Sequence, residues 1–448
     1  MYTSNHVDVV IIGAGLSGLA AAHELKKADL SFGVLEARER SGGRLFSLTE
    51  VGFGLDLGAQ WVSSSHLRVI QLIDEYGLKL ISTYQKGKTI YEQSGSIKKV
   101  HGSFPQMSRL AIIDLFKMKR NINHIIKQLP EKPWKSDLGQ SLDKITMQNF
   151  VDKHMFSDEG KKVFALLAEE EMNEKLHNVS ALDVLWFIKS AGNVNKLLAA
   201  EQFWIEPGAT ALVKRMIEHL QGRVFFGKPV SKIEYGSENV VISSNGERWE
   251  ATKVIITAPP NIVRHITFDP RLPKDREELQ SLATFPFVIK MVLIYDRPFW
   301  REEELNGSLY SDKGPISFTM DSTPEDEIFG VLTVLIGGEN AKIFSKMGKD
   351  YRKQETLKSL VRFYGKKAAT PIRFLEKDWS EEKWTGGGYG SHFPPGVLTK
   401  YGSALSEPIG PIHWAGTETA NEWRIYMEGA IQSGQRAAEE VIKSIKMK

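Results

Sequence analysis

Three glycines and one acid carry the first chemistry in this sequence. Gly13, Gly15 and Gly18 stand in a G-x-G-x-x-G spacing, and Glu36 follows. Each residue type has a physical job. Gly13 allows a tight turn, and Gly15 lets a pyrophosphate approach the backbone. Gly18 lets a helix pack closely on a strand. An acid ~20 residues further on accepts hydrogen bonds from a ribose diol. That chemistry is the binding of a dinucleotide.

The elements around these residues agree. Residues 9–12 are a continuous β-branched run, as in a parallel strand buried on both faces. Residues 16–27 have helical spacing, and 32–35 read as a second strand that ends at Glu36. The helix N-terminus brings free N–H groups and partial positive charge to the phosphates. Strand, glycine turn, helix, strand and acid thus come in the required order. The spacing alone does not separate FAD from NAD.

Composition removes several function classes. The chain has 448 residues, which predicts two joined domains rather than one small core. Its net charge is +3, from 58 basic and 55 acidic residues, so nucleic-acid binding is not expected. There is no cysteine, which excludes disulfides, thiolate metal sites and a cysteinyl cofactor link. No metal site is expected. The N-terminus MYTSNHVDVV lacks the pattern of a secretory signal. No apolar run reaches the ~18 residues of a membrane span. These features predict a cytoplasmic protein.

Further along, Gly42 and Gly43 permit close backbone approach and Arg44 sets a cation beside them. Residues 52–62 again mix glycines with apolar residues, as in a turn laid against a ligand. A helix is expected over 66–76, and short strands over 84–100. Residues 107–128 predict an amphipathic helix with Lys117, Lys119, Arg120 and Lys127 on a solvated basic face. Residues 139–200 read as mostly helical. After a break at 206–209 come a helix over 211–220 and several strands, two of them joined by the hairpin signal Asn245-Gly246. Residues 288–296 are an apolar strand interrupted only by Lys290. A buried lysine is costly without partners, whereas a lysine on an edge strand snorkels to solvent. Strands over 316–336 and a helix over 351–365 precede a last strand, glycine turn and closing helix. The strand-and-glycine regions at the two ends predict one domain built from separated segments.

These pieces together carry a resemblance. The chain resembles the flavin-dependent amine oxidases, and among them looks most like the monoamine oxidases. The matching stretches are LEARERSGGR (35–44), LDLGAQWV (55–62), VSALDVLWFIKSAG (179–192), VIITAPP (254–260), Lys290, WTGGGYGSHFPPGVL (384–398) and AGTETANEWRIYMEGAIQSGQRAAEE (415–440). They run over nearly the whole chain. The resemblance implies an α/β fold, with a Rossmann-like FAD-binding domain from residues 1–80, 208–285 and 385–448. An α+β substrate domain would come from 81–207 and 286–384.

It also implies oxidation of an amine to an imine, then an aldehyde or ketone, with O2 reduced to H2O2. FAD would be surrounded by Gly13, Gly15, Gly18, Glu36, Arg38, Arg44, Gly58, Val230, Trp379, Gly416, Thr417 and Met427. Lys290 would hold a water at the flavin, and Tyr389 and Tyr426 would flank the amine. Taken singly, each tyrosine reads as a core residue; the flanking GGGY and YMEGA motifs reverse that reading. Two departures bear on the family pattern. Mitochondrial monoamine oxidases carry a flavin-linking cysteine where this chain has Gly388, so non-covalent FAD is expected. They also carry a C-terminal membrane helix, and this sequence stops at Lys448, so no membrane anchor is expected. A homodimer is among the assemblies the reading allows.

Two rivals stand beside this reading. One is an L-amino-acid or polyamine oxidase on the same fold. The first of these needs a cation for the substrate carboxylate, and Arg68 reads as part of the 66–76 helix. The second favours acids at the cavity, for which Glu201 and Glu206 are candidates, though both read as surface residues. The other rival is a flavoprotein without turnover, against which Tyr389, Tyr426 and Lys290 argue.

Overall fold

A β-α-β unit opens the chain. It consists of β1 (Ser4–Ile12), α1 (Leu16–Lys27) and β2 (Phe32–Leu35). The computed structural model describes residues 4–50, 52–102 and 105–447. Residues 1–3 and 448, which the reading of the chain ends used, lie outside them. β1 and β2 run parallel, with Ile12 opposite Leu35. Val9, Val10 and Ile11 are fully buried, as the apolar run requires.

On its other side β1 pairs in parallel with the strand Glu247–Ile256. That strand also takes Ile412–Trp414 in parallel and Val240–Ser244 antiparallel. Asn245 and Gly246 turn the hairpin between Val240–Ser244 and Glu247–Ile256 at φ +48° and +80°, as two-residue hairpins prefer. The finished sheet has eight strands. They come from the beginning, middle and end of the sequence, so the expected assembly from separated segments holds.

A second sheet has seven strands. Val288–Tyr295 lies inside it, antiparallel to Gly330–Gly337 on one side and Arg373–Asp378 on the other. Lys290 is therefore on an interior strand, and the edge-strand alternative fails. A helical layer from Arg109–Gln128 to Ala181–Ser190 packs around Met118, Ile122, Phe150, Leu182 and Leu185. The outer face of Arg109–Gln128 is more apolar than its lysines suggested, since Leu110 and Phe116 are exposed beside them.

The closing helix Met427–Lys446 lies against α1. Small residues make the contact. The Ser17 and Ser433 hydroxyls are 3.1 Å apart, and a Cβ on Gly434 would fall 2.0 Å from the Ser17 carbonyl oxygen. The fold is α/β, with the Rossmann-like sheet and an α+β remainder. No helix among the described residues is long and apolar enough to cross a membrane.

Candidate active site

A cavity of about 850 Å³ runs between the two sheets and the helical layer. Its first end is the glycine turn. Gly13 adopts φ +107° and donates its N–H to the Leu35 carbonyl oxygen. A Cβ on Gly18 would fall 1.9 Å from the Gly13 carbonyl oxygen, so Gly18 closes the helix onto the strand. Gly15 differs: nothing lies nearer than 4.0 Å to a Cβ built there, and Gly15 faces the cavity. No side chain caps the N-terminus of α1.

Glu36 is buried at the end of β2. One carboxylate oxygen accepts the Ala14 N–H at 2.8 Å, the other the Arg38 N–H at 3.0 Å. Arg38 also bonds Glu382 at 3.1 Å, yet its Nη2 is buried without a partner. Arg44 donates to Glu418 at 2.6 Å and to the Tyr389 carbonyl oxygen at 2.5 Å. Val230, Gly416, Thr417 and Met427 complete this wall. An uncapped helix end, an open glycine, a buried acid and an orphaned guanidinium nitrogen fit a dinucleotide diphosphate and ribose.

Toward the other end stands Lys290, only 3% exposed. Its Nζ donates to the Gly58 carbonyl oxygen at 2.9 Å and to Gln60 Oε1 at 2.8 Å. The Trp61 ring centroid is 4.8 Å away. Burial lowers the Lys290 pKa to about 8, against the opposing pull of Asp56 and Glu201. Trp379 is fixed beside it by an indole N–H bond to the Leu57 carbonyl oxygen at 2.8 Å. Gly58 must be glycine, since a Cβ would fall 2.3 Å from the Arg44 carbonyl oxygen.

Tyr389 and Tyr426 both line this end. Tyr389 adopts φ +53°, uncommon for an aromatic residue. Its phenol lies beside the Asn173 side chain. Tyr426 precedes the closing helix and stacks on Phe187, centroids 6.0 Å apart. Its hydroxyl bonds the Glu171 carboxylate. Burial first, and then nearby acids, keep both phenols protonated well above their ordinary range.

Acids meet these tyrosines. Glu170, Glu171 and Glu201 line the same cavity. Burial raises Glu171 to about 7 and, with the Glu171 charge adding to it, Glu201 to about 8. The reading of Glu201 as a surface residue is thus corrected. Glu206 is the surface acid, 3.9 Å from Lys79. Arg68 belongs to the helix Leu67–Glu75 and is bound by Glu422 and Glu428, so it faces no substrate.

The cavity therefore brings together every expected site residue except Gly18, which acts from behind by packing. Sequence reasoning missed Glu170 and Glu171, which read only as helix. Three glutamates in one helical turn, Glu169 to Glu171, were a signal. It also missed the wall residues Gln60, Trp61 and Phe187, whose apolar surroundings look like ordinary core.

Comparison with known proteins agrees with this geometry. Residues 16–442 match the family described as flavin containing amine oxidoreductase. Flavin-containing amine oxidase B from Homo sapiens is 32% identical over 99% of this chain and 87% of its own. A flavin-containing amine oxidase from Oncorhynchus mykiss is 34% identical with the same coverage. A structure of putrescine oxidase bound to putrescine superposes with TM-score 0.93 at 30% identity, over 98% of this chain and 100% of that one. Cyclohexylamine oxidase from Brevibacterium oxydans gives 0.92 at 27% identity, over 98% and 99%. The chain belongs to the flavin-containing amine oxidoreductases, and it is an FAD-dependent amine oxidase.

Proposed function

We propose that Lys290, Tyr389 and Tyr426 act on the amine, and that the residues from Gly13 to Met427 named above hold FAD without a covalent link. The observation that carries this reading is one continuous cavity. It is lined by Gly15 and Glu36 at one end and by Lys290 and both tyrosines at the other. When bound, FAD supplies the two-electron acceptor and passes the electrons to O2, giving H2O2.

The protein's part is orientation and exclusion of water. The amine reacts in its neutral form, giving up a C–H hydride and an N–H proton. The imine left behind takes up water and releases the nitrogen, leaving an aldehyde or ketone. The ring faces of Tyr389 and Tyr426 offer an electron-rich, poorly hydrated wall, which disfavours a charged amine there. Both phenols stay protonated, so neither is needed to carry a proton. Lys290 has three N–H donors, of which two are used on Gly58 and Gln60. The third is free for a water or a reacting atom in the cavity. Gln60 is held in turn by Ser322 at 2.9 Å, so the ammonium is fixed.

A division at 1–80, 208–285 and 385–448 against 81–207 and 286–384 is supported by the strands. Those of the eight-stranded sheet fall in the first set, those of the seven-stranded sheet in the second. The absence of cysteine supports a cytoplasmic location, and sedimentation tests a homodimer.

The test of the activity is direct. Anaerobic addition of amines should bleach the yellow protein, and air should restore the colour with release of peroxide. Colour unchanged by a broad panel of primary and secondary amines would return the chain to the rival of a flavoprotein without turnover.

A further inference from the structure

Glu382 stands where Arg38, Arg40 and Lys377 meet. It follows the strand Arg373–Asp378 of the seven-stranded sheet. Its Oε1 accepts the Arg38 Nε–H at 3.1 Å, and its Oε2 accepts an N–H of Lys377 Nζ at 2.8 Å. Arg40 Nη2 is 3.7 Å from the same Oε2. Burial alone would raise the Glu382 pKa, but Lys377, Arg38 and Arg40 hold it below its ordinary value. The carboxylate is therefore ionised at neutral pH.

An acid beside a diphosphate site looks misplaced, since it repels the ligand. The geometry of Arg38 supplies the reason for it. A guanidinium is a rigid planar fork of N–H donors. Glu382 takes Nε, and Glu36 takes Nη1 at 3.3 Å. Two fixed nitrogens set the plane, so the remaining one has a single direction. That one is Nη2, which among the described residues is buried without a partner. Arg38 lines the cavity, yet its side chain is only 10% exposed. A buried donor held in one direction and left open is costly unless a ligand atom meets it.

Charge points the same way. Arg38, Arg40 and Lys377 stand against Glu36 and Glu382, so this group keeps an excess of positive charge. Arg40 also donates to the Ser41, Gly43 and Leu45 carbonyl oxygens and so braces the loop that carries Gly42 and Gly43.

We propose that Glu382 is a positioning residue for the cofactor: it turns the Arg38 fork so that Nη2 meets the diphosphate of FAD. This rests on the reading of Arg38 as a ligand of that diphosphate. Removing an acid near an anion ordinarily tightens binding by lowering repulsion. Here it weakens binding, because Arg38 loses its direction. The acid comes from beyond the second sheet, so the cofactor site is complete only when both sheets are in place.

The experiment measures FAD binding to the full-length apoprotein and FAD release from the diluted holoprotein, both by flavin fluorescence. Glu382→Gln should weaken affinity by about tenfold or more, in line with the loss of one charge-assisted hydrogen bond. Arg38→Met should weaken it at least as much. Adding Glu382→Gln to Arg38→Met should cost nothing further, since the two residues act as one unit. Arg38→Lys keeps the charge without the fork and should also lose about tenfold. That variant decides the matter even where Glu382→Gln fails to fold. Affinity in Glu382→Gln equal to the parent's, or tighter, overturns the proposal. So does parent-like affinity in Arg38→Lys, or a full further loss when Glu382→Gln is added to Arg38→Met. If Arg38→Met binds FAD as the parent does, the reading of the diphosphate site fails as well, and the two failures are told apart.

Discussion

Asp183 and Arg424 form an ion pair at 3.0 Å with no solvent exposure of either side chain. His392 Nδ1 shares the same carboxylate at 2.9 Å, and the guanidinium lies 4.4 Å from the Trp186 ring centroid. Arg424 and His392 sit just before Tyr426 and just after Tyr389. One buried acid thus fixes the loops that carry both tyrosines. Burial alone would raise the Asp183 pKa, but Arg424 and His392 hold it below its ordinary value. Asp183→Asn leaves Arg424 buried and unpaired, and should cost about 3–5 kcal/mol of stability. Asp183→Leu combined with Arg424→Met should recover most of it. Thermal unfolding of the holoprotein checks both, and equal midpoints for Asp183→Asn and the parent would show that the pair contributes nothing.

The glycines of the first turn can be separated by alanine. Gly15→Ala meets no protein atom nearer than 4.0 Å but intrudes on the cavity. The protein should fold and bind FAD at least about tenfold more weakly. Gly18→Ala collides with the Gly13 carbonyl oxygen and should fail to give stable protein. Flavin titration of the two apoproteins decides. Unaltered affinity in Gly15→Ala means that the diphosphate does not pass there.

Flavin should leave the polypeptide on acid precipitation, because Gly388 has no sulfur and the chain holds no cysteine. The site is also cramped, with a Cβ at residue 388 falling 3.0 Å from Val288. Yellow colour retained in the washed precipitate would contradict this.

Tyr389→Ala and Tyr426→Ala should each slow anaerobic flavin reduction by about 10- to 100-fold, the loss expected from poorer orientation. Turnover in the parent should rise with pH as neutral amine becomes available. Reduction rates identical to the parent's would make both rings mere packing.

Lys290→Met keeps the volume and removes a buried charge, so the fold should persist. Flavin reduction or its reoxidation by O2 should slow, as stopped-flow measurement of each half-reaction will reveal. Unchanged rates in both would remove Lys290 from the chemistry.

The acids also set a pH dependence of stability. Burial raises Glu171 to about 7 and Glu201 to about 8, well above the ~4.3 of an unfolded glutamate. Between those values the folded state binds more protons than the unfolded one. Stability is therefore full below the unfolded pKa and falls as pH rises through about 8. Glu170, Lys290, Tyr389 and Tyr426 share this environment, so the fall belongs to the group rather than one acid. The thermal midpoint should drop between pH 5 and pH 8.5, by less in Glu201→Gln. A midpoint that rises over that range would refute the burial of these acids.

The glycine turn was legible because its requirements are local. A turn, an open backbone and an acid at the strand's end can each be read from a few neighbours. Lys290 was legible as an interruption of an apolar strand, although only the sheet order placed it inside rather than at an edge. Tyr389 and Tyr426 were legible through the family motifs around them. Glu170, Glu171 and Glu201 were not legible as a group, because two helical residues and a distant third meet only after the chain has folded. Asp183 was hidden for the same reason, its partners Arg424 and His392 lying far along the chain.

The packing of Met427–Lys446 along α1 has a consequence for synthesis. The ribosome makes the β-α-β unit well before the helix that covers it. At 5–20 residues per second the interval is on the order of tens of seconds. Over that time the small-residue face of α1 has no cover, and Ile412–Trp414 has not yet joined the central strand. Nascent chains stalled before residue 412 should fail to retain flavin, while chains that include the closing helix acquire it; capture of flavin by the stalled chains would show that the sheet without Ile412–Trp414 suffices. Cofactor loading then waits on synthesis of the closing helix and doubles as a check that this helix has been made.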